Sequence, residues 1–248
     1  MTMTKILVTD HGFPNVDAER RLAEEAGCAF EVAQCKTAED VLRAAKDADG
    51  LLVQWAPVTA AVIEGLAKCR VIVRYGIGVD NVDVKAARAR GIAVCNVPDY
   101  GVDEVADHAV SLGLALARQL LPIDRRTRAG TWKIAPDAPM PAFSAMTFAV
   151  LGMGRIGRAV LKRAAGFGFR LAAHDPVAKP ADFAQAGARA MGLDEAVREA
   201  DLLSLHMPLT DATRHLLGRE RLATMKRGAL LVNTARGGLV DTVALADA

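Results

Sequence analysis

Apolar, often β-branched runs that break off at polar, glycine or proline positions recur along the chain: KILVTD (5–10), FEVAQ (30–34), GLLVQ (50–54), VIVRYG (71–76) and IAVCNVP (92–98). Short continuous runs of this kind read as strands buried on both faces. Between them, Asp17 to Ala26, Thr37 to Ala45 and Val84 to Ala89 read as helices. Strand and helix in alternation imply right-handed crossovers, hence a parallel sheet covered by helices. Residues 1–100 are expected to form one such α/β unit.

The segment DEVADHAVSLGLALARQL (103–120) changes the period. Val105, Ala109, Leu112 and Leu116 recur at three- and four-residue spacing, which predicts a long helix with a wide apolar face. It is expected to lead into a second domain, 101–248, through LPIDRRTRAGTWKIAPDAPMPAFSA, whose four prolines predict irregular structure. Alternation then resumes with FAVLGMG, LAAHDP, DLLSLHMP and ALLVNTARGG, separated by predicted helices at Arg155 to Ala165, Leu193 to Glu199 and Arg219 to Lys226. Four strands are visible there, fewer than a doubly wound domain normally carries, so this unit is expected to be incomplete.

Composition narrows the function classes. A chain of 248 residues with 52% hydrophobic and 24% charged content is globular, with room for two ordinary domains. A net charge of +2 gives no global field toward nucleic acid or a membrane, so a small-molecule partner is expected. The densest basic stretch, Arg125, Arg126 and Arg128 with Lys133 beyond, reads as a solvated or subunit-facing segment. Cys28, Cys35, Cys69 and Cys95 lack the spacing of a zinc site and read as buried thiols; no metal is expected. The start, MTMTKILVTD, has no secretory pattern, and no apolar run reaches about eighteen residues, so the cytoplasm is the expected location.

The chemistry begins at Gly152-Met153-Gly154-Arg155-Ile156-Gly157, a GxGxxG placed after a predicted strand and before a predicted helix. In that context Gly152 permits the tight turn, Gly154 lets the backbone approach a pyrophosphate, and Gly157 lets the helix pack on its strand. The helix N-terminus supplies amide donors and a partial positive charge to the phosphates. Asp175 ends the next strand, where a carboxylate can accept from both ribose hydroxyls and repel a 2′-phosphate. With Pro176 following it, the pattern points to NAD rather than NADP. The alternative at Asp175 is a cap on the following turn.

Four stretches in order, VRYGIGVDNVDVKAARARGIAVCNVPDYGVDEVADHAVSL, LGMGRIG, LHMPLTDATRHLLG and MKRGALLVNTARGGLVD, resemble the D-isomer-specific 2-hydroxyacid dehydrogenase family, within it the phosphoglycerate dehydrogenase and C-terminal-binding-protein branch. The likeness runs from about residue 50 to the end. It implies an α/β protein of two parallel-sheet lobes: a flavodoxin-like substrate-binding (catalytic) domain in 1–100 and a Rossmann-type NAD-binding domain in 101–248, truncated at its C-terminus. It also implies a homodimer. By the same resemblance Arg236 grips the carboxylate of a small 2-hydroxy or 2-oxo acid, a role suited to a guanidinium that can donate two parallel bonds. The backbone around Tyr75, Gly76 and Ile77 is expected to hold that carboxylate from the first domain. Cofactor contacts carry over to Gly154, Arg155, Ile156, Asp175, Met207, Pro208, Thr213, Thr234, Ala235 and Arg236.

The family's proton-transferring histidine and its glutamate lie C-terminal to the NTARGG segment, and this sequence ends at Ala248, before either. His206, His108, His11, His174 and His215 show no carboxylate partner that would make them convincing acids. The resemblance therefore implies a hydride-transferring NAD enzyme lacking its C-terminal part. An NAD(H)-sensing, dimeric interaction module is the second reading. Residues 1–248 alone, assayed with NADH and glyoxylate, hydroxypyruvate or pyruvate, should turn over poorly; robust turnover would refute this expectation.

Overall fold

Each strand of the first hundred residues is only four residues long: β1 Lys5–Val8, β2 Ala29–Val32, β3 Gly50–Val53, β4 Val71–Arg74 and β5 Ala93–Asn96. They pair in parallel in the order β2-β1-β3-β4-β5, with Leu7 opposite Leu51 and Leu51 opposite Ile72. This is the flavodoxin-like order, which reverses its direction of winding between β1 and β3. Helices α1 Asp17–Glu25, α2 Ala38–Ala45, α3 Ala60–Gly65 and α4 Val84–Ala89 connect the strands. The computed structural model describes residues 3–132 and 139–248.

The chain divides into two compact units, Met1–Tyr100 and Gly101–Ala248. In the first, Leu7, Leu51, Val53 and Ile72 form a core with Val41 and Ala45 of α2, Val62 and Ile63 of α3, and Ala87 of α4. Local signals set the helix starts. Thr37 and Asp40 form a reciprocal capping box at α2, and Asp83 accepts the Ala86 amide at α4.

The second unit contains α5 Val102–Ala117, α6 Leu120–Arg128, β6 Thr147–Leu151, α7 Arg155–Ala165, β7 Arg170–His174, α8 Pro180–Gln185, β8 Arg189–Ala190, α9 Leu193–Glu199, β9 Leu202–Leu205, α10 Arg219–Thr224, β10 Leu230–Asn233 and α11 Thr242–Asp247. Its sheet is parallel, in the order β10-β9-β6-β7-β8. Counted within the unit this is the Rossmann sequence 3-2-1-4-5 read from the other edge, with the switch point between β6 and β9. Alternation along the strands divides the core in two. Phe148, Val150 and Leu202 meet α5 and α7 on one face, while Ala149, Leu151, Leu203 and Leu205 meet α9, α10 and α11 on the other.

Several sequence expectations change here. The second sheet has five strands rather than four, because the exposed pair Arg189–Ala190 adds β8 with no apolar run to announce it. The proline-containing stretch begins with a helix, α6, since Pro122 falls in its first turn, where a missing amide costs no intrahelical bond. Lys133 and the rest of 133–138 lie outside the described residues. The buried face of α5 is Ala106, Ala109, Val110, Gly113 and Ala117, whereas Leu112 and Leu116 are 38% and 42% exposed. Small residues win that face because the helix sits close to the sheet: a Cβ on Gly113 would come within 2.8 Å of Leu202 Cδ1. Among the cysteines Cys35 and Cys69 are buried, but Cys28 is half-buried and Cys95, on the edge strand β5, is exposed.

The two units anchor their first strands in the same way. Asp49, just before β3, accepts the Lys5 amide at 2.9 Å, and Asp201, just before β9, accepts the Thr147 amide at 2.7 Å. At the other end of β9, fully buried Ser204 pairs with His206 Nε2 at 2.8 Å. Burial pushes the His206 pKa down to about 4 from its ordinary 6.5. The unfolded chain thus binds more protons between those values, so the contribution of neutral His206 is complete above about pH 6.5 and is lost as pH falls toward 4. His206→Gln should flatten the fall of melting temperature across that window relative to the parent; parallel curves for the two proteins would contradict this.

Candidate functional site

The C-terminal ends of β6, β7, β9 and β10 bring together the residues that sequence pattern singled out in the second unit. The glycine loop follows β6. Gly152 adopts φ +97°, and a Cβ there would lie 2.7 Å from the His206 carbonyl oxygen, so both conformation and space require glycine. Gly157 presses on the same turn, where a Cβ would meet the Gly152 carbonyl oxygen. Gly154 differs: nothing lies within 4 Å of its Cβ position, so no protein neighbour demands glycine there.

Gly154 is the N-cap of α7 and brings no side-chain cap. The first-turn amides of a helix have no intrahelical partners, and here the first such bond is from Arg158 to the Gly154 carbonyl at 3.1 Å. Arg155 is exposed and Ile156 half-buried at this bare end of an 11-residue helix. The arrangement is suited to an anionic group approaching along the helix axis.

Asp175, one residue beyond β7, fastens the loop. Its Oδ2 accepts the Met153 amide at 2.7 Å, and its Oδ1 accepts the amides of Val177 and Ala178 at 2.9 and 3.1 Å. It therefore does cap the following turn, while Oδ2 keeps lone-pair capacity for a further donor. Burial raises the Asp175 carboxyl, but the three amides outweigh it and hold the group below its ordinary value.

Beyond β9, Met207 and Pro208 open a loop closed by Thr213. The Thr213 hydroxyl donates to the Pro208 carbonyl at 2.8 Å and accepts the Thr210 amide at 2.8 Å. After β10, the Asn233 side chain shapes the turn, accepting the Ala235 amide at 3.0 Å and donating to the Arg236 carbonyl at 2.9 Å. Half-buried Arg236 donates from Nη1 to the Ala235 carbonyl at 2.9 Å. Thr234 Oγ1 is buried and has no hydrogen-bond partner among the described residues. An orphaned hydroxyl, a bare helix end, a glycine with no steric cause and a fixed carboxylate, all at the C-terminal edge of one sheet, fit a dinucleotide ligand.

In the first unit Tyr75, Gly76 and Ile77 follow β4, and their amides are not equivalent. The Tyr75 amide donates to the Val53 carbonyl and the Gly76 amide to the Arg74 carbonyl, both at 2.8 Å. The amides of Tyr75 and Gly76 are thus engaged within the unit, while those of Ile77 and Gly78 make no bond among the described residues. The Arg74 guanidinium lies over Gly76, where a Cβ would overlap it, and Arg74 Nε is buried without a partner among the described residues. Sequence reasoning missed Arg74, and it missed Asp10, which is 4% exposed and accepts the amides of Gln54 and Trp55 at 3.1 and 2.7 Å. The available signal was a polar residue closing an apolar run, as in VTD and IVR.

No helix of the described residues is long and apolar enough to cross a membrane, and no group of His, Cys, Asp and Glu among them could hold a metal. Residues 110–248 match the model of the D-isomer specific 2-hydroxyacid dehydrogenase NAD binding domain. A D-3-phosphoglycerate dehydrogenase of Mycobacterium leprae is 44% identical over 209 residues, covering 84% of this chain and 39% of that protein. A glyoxylate reductase of Korarchaeum cryptofilum is 40% identical, over 83% of this chain and 63% of that protein. The D-lactate dehydrogenase of Aquifex aeolicus, solved with NAD and lactic acid, superposes with a TM-score of 0.89 at 28% identity, over 97% of this chain and 72% of that one. The chain thus spans about two fifths of the length of the mycobacterial relative. These relatives carry the names of dehydrogenases and reductases, which does not favour a sensing module. A Rossmann-ordered sheet with its glycine turn and terminal aspartate, together with these matches, establishes that the chain belongs to the D-isomer specific 2-hydroxyacid dehydrogenase family.

Proposed function

We propose that the protein is an NAD-dependent dehydrogenase that moves a hydride between nicotinamide and C2 of a small D-2-hydroxy acid or its 2-oxo form. The observation that carries this reading is the convergence of the Gly152–Gly157 turn, Asp175, the buried orphan hydroxyl of Thr234 and Arg236 at one edge of one sheet. The first-turn amides of α7 would receive the pyrophosphate, Asp175 the ribose hydroxyls, and the 207–213 and 234–236 turns the rest of the dinucleotide. When bound, the nicotinamide supplies or accepts the hydride.

Arg236 would hold the substrate carboxylate and draw electron density toward the C2 oxygen. In the direction of reduction the C2 oxygen also takes up one proton. His206 is unsuited to give it: the ring is tied to Ser204 and stays neutral near pH 7. The proposal extends to a homodimer in the cytoplasm. Leu112 and Leu116 on α5 and Leu120 and Leu121 on α6 are exposed large apolar side chains, which supports a subunit contact there.

NADH titration and steady-state kinetics of the full-length protein test this reading. Asp175→Ala should weaken NADH binding by about tenfold or more, since it removes a charged acceptor. Arg236→Ala should lower kcat/KM for 2-oxo acid reduction about a hundredfold or more. Unchanged NADH affinity in the first variant, or sustained turnover in the second, would overturn the assignment.

A further inference from the structure

The loop between β7 and α8, in the second unit, is fastened at both ends by carboxylates. At its start Asp175 accepts the Met153 amide of the glycine turn at 2.7 Å and the Ala178 amide at 3.1 Å. At its end Asp182, in the first turn of α8, accepts the Lys179 amide through Oδ2 at 2.7 Å and pairs through Oδ1 with the Arg158 guanidinium at 3.1 Å. Arg158 stands one turn into α7, its amide bonded to the Gly154 carbonyl.

These bonds close a ring. It runs from the glycine turn through Asp175, the amides of Ala178 and Lys179, and Asp182 to Arg158, then back along one turn of α7. It borders the position proposed for the ribose. The two amides are consecutive, and successive residues of a chain are about 3.8 Å apart, so the carboxylates they serve are near neighbours. Such neighbours repel, and Arg158 is set against that repulsion.

The Arg158–Asp182 pair is 39% and 31% exposed in its side chains, open enough to water to contribute little to the fold. Asp182 caps α8 without needing the arginine. What the pairing changes is the charge at the ring. Asp175 and Asp182 are there balanced by Arg158 and the exposed Lys179. A 2′-phosphate would bring about two negative charges into that balance and find the guanidinium, the group best shaped to receive it, already engaged.

We infer that Asp182 is a second determinant of coenzyme choice: by keeping Arg158 occupied it withholds a cation from a 2′-phosphate that Asp175 repels. This rests on the dinucleotide site of the proposed function. Asp182→Asn keeps an acceptor for the Lys179 amide but releases Arg158, which then meets the phosphate directly or screens Asp175. Either raises affinity for the phosphorylated coenzyme.

The test is calorimetric titration of the full-length protein with NADH and NADPH, and with 5′-AMP and adenosine 2′,5′-bisphosphate as probes of the sugar end alone. The parent should bind NADH more tightly than NADPH. Asp182→Asn should move the NADPH to NADH affinity ratio about tenfold toward NADPH, and the bisphosphate to AMP ratio by as much, with a smaller shift in high salt. Arg158→Gln added to that variant should cancel the gain, and Arg158→Gln alone should produce none. Ratios in Asp182→Asn equal to the parent's, or a gain that persists without Arg158, overturn this inference and leave the dinucleotide site in place. Binding of neither dinucleotide by the parent removes both.

Discussion

The close approach of two strand ends governs the second unit. Where β6 finishes, the Gly152 backbone lies directly against the His206 carbonyl at the end of β9, at a separation that admits no side chain. That contact sits at the switch point of the sheet, so the loops leaving β6 and β9 diverge from a common, narrow base. Everything proposed for the cofactor follows from this spacing. The glycine turn can deliver α7 with its N-terminus uncovered because Gly157 lets the helix settle on the same turn, and Met207 and Thr213 are carried away on the opposite side.

The first unit builds its own switch point by different means. There no glycine turn presses strand on strand; a buried carboxylate, Asp10, reaches across from the β1 loop to the amides following β3. One unit is closed by backbone contact and the other by a buried carboxylate that accepts three hydrogen bonds. Both nonetheless begin alike, with Asp49 and Asp201 each capping the first amide of the neighbouring strand. The similarity lies at the N-terminal edges, and the difference lies where ligands bind.

Much of this was legible in the sequence because apolar runs and glycine spacing are local signals. Every strand of four or more residues was visible as such a run, and GxGxxG followed by Asp175 announced the nucleotide edge. What was not legible depends on distance or competition. The two residues of β8 pair only because β7 is already in place. The face of α5 was misread because large residues dominate periodicity, while close packing on Leu202 favours Gly113 and alanines. The amides of Tyr75 and Gly76 were expected to be donors for a ligand, yet they are taken by Val53 and Arg74, a commitment that no spacing rule reveals.

Asp175 also constrains how coenzyme choice could change in this lineage. The same carboxylate that would reject a 2′-phosphate fastens the Met153 amide inside the glycine turn. Exchanging it for a neutral or basic residue would release that turn at the moment it admitted the larger nucleotide. A switch of redox carrier therefore calls for at least two coordinated replacements, one to welcome the extra charge and another to re-secure residue 153, and single-step drift toward the phosphorylated coenzyme is hindered by architecture as much as by recognition.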